Sequence, residues 1–174
     1  MPTGPSHRAN SDERMTMTRG SLVELPPPLP LPPGITVRPL LGAVEAPVWT
    51  AIQRDAEPFL TIGDDLFLRE FGADDAEITS RCFVAVDTAT SEAVGASSAW
   101  HGGDPGARGR DWGRLHWVAV RPGFQRRGIA RALVVQCLYR MAAQGHERAY
   151  LVTSTGRQGA IALYRELGFT PDRP

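Results

Sequence analysis

The chain has 174 residues, 42% of them hydrophobic, and its 19 acidic residues balance 19 basic ones, so the formal net charge is zero. That length and apolar content suit one domain with its own core, and neutrality argues against general nucleic-acid binding. No run is long and apolar enough to span a membrane and the first residues lack the apolar stretch of a secretory leader, so cytoplasmic residence is the expectation.

Residues 1–34 are rich in Ser, Thr, Arg and Pro and end in ELPPPLPLPPG. This composition favours polyproline II over helix or strand and predicts a disordered Pro-rich tail, serving as a spacer or as a PxxP ligand for an aromatic groove. From Ile35 to residue 174 the pattern is that of a folded domain. ITVRPLL predicts a strand, and Val44, Val48, Ala51 and Ile52 a helix beginning near Pro47. DDLFLREF predicts a second short helix. RCFVAVD and AVGASSAW predict two strands joined as an antiparallel pair by TATSE. After the loop GGDPGARGRD comes a fourth strand, GRLHWVAV, and then a long helix. AYLVTS predicts a fifth strand, and Ala160, Leu163, Tyr164 and Leu167 stripe a final helix that stops at Gly168. The order is β, α, α, β, β, β, α, β, α, an α/β domain in which an antiparallel meander and one strand–helix–strand crossover share a mixed sheet.

Chemistry concentrates at that crossover, in VRPGFQRRGIARALVVQ. Ala130, Leu133, Val134, Cys137, Leu138 and Met141 recur at helical spacing, placing the helix start near Gly128. A helix start presents unpaired N–H groups and the positive end of the macrodipole, so it attracts anions. Arg126 and Arg127 deepen that attraction, and Gly128 and the small Ala130 let a bulky anion approach the main chain. The pattern fits a diphosphate cradle and equally a solvated turn, and topology alone leaves nucleotides and coenzyme A both open. Cys82 on a predicted strand and Cys137 on the helix stripe read as reduced, packed thiols without metal-ligand spacing, so no metal is expected.

Charge is unevenly spread. Residues 35–111 carry six arginines against 13 acidic residues, whereas residues 112–174 carry ten against three. One physical reading is an anionic ligand on the second half and a cationic one near the first; chance surface composition is the other.

LHWVAV followed by RPGFQRRGIA, and AIALYRELGF near the end, resemble the GNAT superfamily of CoA-dependent N-acyltransferases over roughly residues 35–171: its fourth strand, its Q/RxxGxG/A pyrophosphate loop, and its last helix with a tyrosine and a closing Gly-Phe. The resemblance implies a central mixed sheet splayed between the fourth and fifth strands and flanked by helices, with acetyl-CoA as co-substrate. It places the pantetheine arm on Val118, Ala119 and Val120, an N–H near Val120 on the thioester oxygen, and the diphosphate on Gln125, Arg126, Arg127, Gly128, Ile129, Ala130 and Arg131. Tyr164 matches the family's thiolate-protonating acid. His116 is the candidate base, having an intrinsic pKa suited to proton removal near neutrality, with Glu70, His101, Asp104 and Asp111 as fallbacks.

The expected activity is transfer of an acetyl group to a primary amine of a small molecule or peptide, without metal, nucleic acid or membrane; the acidic first half points to a cationic acceptor such as a polyamine or basic peptide. The alternative is a catalytically silent acyl-CoA-binding or interaction module. Two departures from the family pattern stand out. Arg157 occupies a position where Asn is common, offering a further phosphate ligand, and the chain ends without the usual closing strands, so a partner subunit of a homodimer is one source of the missing wall.

Overall fold

The computed structural model describes residues 12–102 and 108–172. Seven strands form one sheet: β1 (Arg14–Arg19), β2 (Ile35–Pro39), β3 (Cys82–Asp87), β4 (Glu92–Trp100), β5 (Trp112–Val120), β6 (Arg148–Ser154) and β7 (Thr170–Pro171). Their spatial order is β2-β3-β4-β5-β6-β1-β7. Every neighbouring pair is antiparallel except β5 and β6. Helices α1 (Ala46–Ala56), α2 (Leu66–Phe71) and α3 (Asp75–Arg81) cover one face, and α4 (Ile129–Ala143) and α5 (Gln158–Glu166) the other. The mixed α/β sheet with its single crossover is the architecture read from the sequence.

Each face has its own apolar cluster. Leu133, Val134, Leu138 and Met141 of α4 join Leu115, Val120 and Leu151 of the sheet on one side, while Trp49, Phe67, Phe71 and Trp100 form an aromatic cluster on the other. Trp49 meets Phe67, Phe71 and Trp117 edge-on at centroid distances of 5.4–5.6 Å, the arrangement that the ring quadrupole favours.

Besides the two-residue β7, two elements depart from the expectations. The segment expected to be a tail contains β1, which pairs with β6 over six residues from Arg14↔Ser154 to Arg19↔Ala149. RMTMTR alternates as a strand does; Met17 is fully buried in the α4/α5 cluster and Leu22 follows it inward. Prolines dominate only the stretch after it. That stretch packs on its own domain: Leu25 lies against the core cluster, the Tyr139 hydroxyl donates to the Pro26 carbonyl, and Pro32 ends beside Gly128. The second departure is α3. It buries Ile78 alone and therefore shows no apolar stripe, yet Asp74 caps it by accepting from the Glu77 N–H at 3.1 Å.

Candidate active site

β5 and β6 pair only from Trp112↔Arg148 to Leu115↔Leu151, after which no ladder joins them although both strands continue. A cleft of about 670 Å³ opens in the resulting gap, lined by residues that include His116, Val118, Ala119, Val120, Gln125, Arg157 and Tyr164. The gap leaves one edge of β5 without a strand partner. The Arg121 N–H donates to the Val94 carbonyl and Ala119 stands opposite Ala96, so those two residues point their main-chain groups at β4. By strand alternation the N–H and C=O groups of Val118 and Val120 face the gap. Ala119 lines the cleft but its main chain belongs to the β4 side. The Gln125 side-chain amide donates to the Val120 carbonyl at 2.9 Å, tying the loop to the strand end.

Strict alternation on β5 predicts Leu115, Trp117 and Ala119 on a common core side, and here the structure differs. The β4–β5 register shifts between Ala96 and Ser98, and Trp117 takes φ = 51°. This bulge turns His116 and Trp117 to the same face, beside Phe71 and Trp49, while Leu115 and Val120 enter the opposite core. The Gln53 side chain donates to the Trp117 carbonyl at 3.1 Å, so α1 holds the kink.

His116 Nε2 lies 2.6 Å from Glu70 Oε2, and the Trp117 indole N–H donates to the same oxygen at 3.0 Å. An ionised carboxylate only accepts, so Nε2 carries the proton and Nδ1 is the basic nitrogen of the neutral ring. The His116 hydrogen bond holds the Glu70 carboxyl well down, to about 2, against the opposing effect of burial and with help from Trp117 and Arg114. Glu70 is thus a partner of His116. The other fallback bases lie elsewhere: His101 stacks on Trp100 and bonds Glu77 at 2.6 Å, the Asp111 carboxylate faces Arg148 at 3.8 Å outside the cleft lining, and Asp104 falls outside the described residues.

Tyr164 projects from α5 into the cleft, 8% exposed. Burial pushes its phenol up to about 12 despite the positive charge of Arg157. The hydroxyl therefore keeps its proton across the physiological range.

At the rim, Arg126 has φ = 62° and Gly128 φ = 82°, with Arg127 between them on the ordinary side. Alternating backbone handedness makes successive N–H groups converge into an anion-binding concavity, here continuous with the free N–H groups of the first turn of α4. Ile129 is buried and anchors that turn, and among the described residues beyond its chain neighbours only Pro32 comes within 4 Å of a Cβ built on Gly128. The shape and the donor set fit a diphosphate. Arg131 turns its side chain to Glu166 at 2.7 Å and Arg127 lies over the Phe124 ring, leaving Arg131 with main-chain donors for a ligand.

The Arg157 side chain, offered above as a further phosphate ligand, is engaged by other residues of the chain. It pairs with Glu57 at 2.6 Å and lies over the Phe59 ring. The acidic half of the sequence does not make an acidic cleft, because the lining holds Arg14, Arg114 and Arg157 against Asp12 and Glu57. The wall that was expected from a partner is formed in part by β1 and the residues just before it, which stand next to β6 and bring Arg14 and Asp12. Glu57, Gln53, Asp12 and Arg14 carried no motif; only the alternation of RMTMTR could have flagged the last of them.

The chain belongs to the acetyltransferase (GNAT) family, whose model matches residues 47–169. A mycothiol acetyltransferase of Nocardioides sp. is 34% identical over 73 residues, 40% of this chain and 25% of the relative, so the match spans about a quarter of that protein's length. A GCN5-related N-acetyltransferase structure from Sphaerobacter thermophilus superposes with a TM-score of 0.75 at 22% identity, over 91% of this chain and 48% of the other. A structure of AAC(6')-Iy with the bisubstrate analogue CoA-S-monomethyl-acetylneamine gives 0.60 at 21% identity, covering 80% of this chain and 94% of that one. Both likenesses establish the fold.

Among the described residues, no helix is long and apolar enough to cross a membrane.

Proposed function

We propose that this chain transfers an acetyl group from acetyl-CoA directly to a primary amine. The observation that best supports this reading is the opening of the sheet beyond Leu115 and Leu151, which brings gap-facing main chain, Tyr164 and His116 into one cleft beside the anion cradle. Family membership and the CoA analogue bound to a protein of the same fold support the donor. Acetyl-CoA supplies a thioester whose carbonyl carbon takes the amine nitrogen and whose sulfur departs as a thiolate.

The residues divide that work. Main-chain amides from Arg126 to Arg131, with the Arg126 and Arg127 guanidiniums, hold the diphosphate, and Gln125 and Ile129 brace the loop. Val118 and Val120 hold the pantetheine arm as a neighbouring strand would, and the Val120 N–H meets the charge that builds on the thioester oxygen. His116, oriented by Glu70, removes a proton from the attacking amine. Tyr164, kept protonated by burial, returns one to the sulfur.

The test is amine-dependent release of CoA thiol across a panel of amines. Tyr164→Phe and His116→Ala should each lower kcat by roughly 10²- to 10⁴-fold while acetyl-CoA still raises the melting temperature. Absence of thiol release with every amine, alongside intact acetyl-CoA binding, would replace this reading with that of a silent acyl-CoA-binding module.

A further inference from the structure

The proline-rich stretch between β1 and β2 has no part in the mechanism above, yet it is held in one place. At its start Leu22 is buried and its N–H donates to the Glu147 carbonyl at 2.8 Å, and Leu25 packs on the α4/α5 core cluster. The Tyr139 hydroxyl then donates to the Pro26 carbonyl at 2.9 Å. At its end the Ile35 N–H donates to the Pro32 carbonyl at 3.1 Å, and Ile35 opens β2 with its own side chain buried.

Length leaves this strap little slack. At about 1.5 Å per residue the helix rises about 17 Å from Gly128 to Tyr139. At about 3.1 Å per residue polyproline II reaches about 19 Å from Pro26 to Pro32. The strap is therefore drawn out along α4, from Tyr139 at one end to Gly128 at the other. There the half-buried Pro32 places its ring 3.8 Å from the position of a Cβ on Gly128.

We propose that the strap is the outer wall of the anion cradle, with the Pro32 ring in contact with the diphosphate-bearing part of acetyl-CoA as it passes Gly128. The proposal rests on the acetyl-CoA reading above and adds to it a binding residue that lies before the family's matched region, which begins at residue 47. A ligand atom near the open Cβ position of Gly128 meets the Pro32 ring at ordinary van der Waals distance. Pro32 and Pro33 have no N–H, so the strap supplies no competing donor, and the anion's hydrogen bonds stay with the stretch from Arg126 to Arg131. What the rings supply is an apolar surface that keeps water off one side of the cradle. A hydrogen bond from an N–H to phosphate is stronger where water is excluded.

The test uses two donors, acetyl-CoA and acetyl-pantetheine, which keeps the thioester and the arm but lacks the diphosphate. In Pro32→Ala the ratio of kcat/KM for acetyl-CoA over acetyl-pantetheine should fall roughly three- to tenfold, the range expected when ring carbons leave an apolar contact. The acetyl-CoA Kd from isothermal titration should rise by the same factor, while a melting curve without ligand reports the fold intact. Tyr139→Phe slackens the strap from its far end and should lower the ratio by a smaller factor, about twofold. An unchanged ratio and Kd in Pro32→Ala, whatever Tyr139→Phe does, would overturn the proposal and leave acetyl transfer standing. So would an equal loss with both donors. Wild-type protein that neither binds acetyl-CoA nor releases thiol with any amine would instead remove the reading on which the proposal depends.

Discussion

The two sides of the cleft are built in different ways. The side proposed for the acyl donor comes from one contiguous stretch, in which the end of β5, the turn at Arg126–Gly128 and the first turn of α4 follow one another between residues 118 and 131. The side proposed for the acceptor gathers Asp12 and Arg14 before β2, Gln53 and Glu57 at the end of α1, His116 on β5 and Arg157 at the start of α5. A site for an anion of fixed shape can be encoded locally, because backbone N–H groups and a positive φ suffice. A wall that discriminates among amines needs side chains from several directions, and the fold supplies them through contacts spanning up to 144 residues, as between Asp12 and Gly156.

If the acceptor wall depends on β1, damage to that strand should reach the whole domain. Met17→Ala, removing a fully buried side chain, should cost about 2–5 kcal/mol of unfolding free energy in urea denaturation. A free tail would lose less than about 0.5 kcal/mol for the same change, so the measurement separates the two pictures cleanly.

Glu70→Gln sharpens the comparison by striking the acceptor side alone. It should lower kcat by on the order of tenfold to a hundredfold, through loss of the acceptor that orients His116, with acetyl-CoA affinity preserved. It also has a pH signature. The Glu70 carboxyl is held down to about 2 in the fold against an ordinary value of 4.5, so its contribution to stability is present above about pH 4.5 and is lost as pH falls toward 2. Acid titrations of unfolding free energy should show that component in the wild type and not in Glu70→Gln.

Gly128→Val strikes the donor side. The left-handed φ of 82° is costly for a β-branched residue, by about 1–2 kcal/mol, and the new side chain stands where the diphosphate approaches. Acetyl-CoA affinity should fall about tenfold while relative turnover of different amines stays as in the wild type, a split that isothermal titration and a competition assay together would show.

The sequence made most of the sheet and the turn that opens α4 readable because apolar periodicity and turn chemistry are local. RCFVAVD, GRLHWVAV and the stripe on α4 fell close to where the structure has strands and helix. Besides α3, three features escaped for physical reasons. β1 was hidden by the prolines that follow it, which dominate the composition of its neighbourhood. The face of His116 depended on the bulge at Trp117, which a strict two-residue period cannot represent. The pairing of Arg157 with Glu57 joins residues exactly 100 apart in sequence, and no local pattern encodes it. Tyr164 was placed by its resemblance to a family motif; periodicity alone gave a core aromatic, and it is in fact both buried and at the cleft.

A crystal structure of the protein with acetyl-CoA tests the central claim most directly. The diphosphate should lie against the main-chain N–H groups of Arg126–Arg131, with the pantetheine arm along Val118 and Val120 and the thioester between His116 and Tyr164. Cofactor density confined to another surface, or β5 and β6 paired along their full length, would contradict the account.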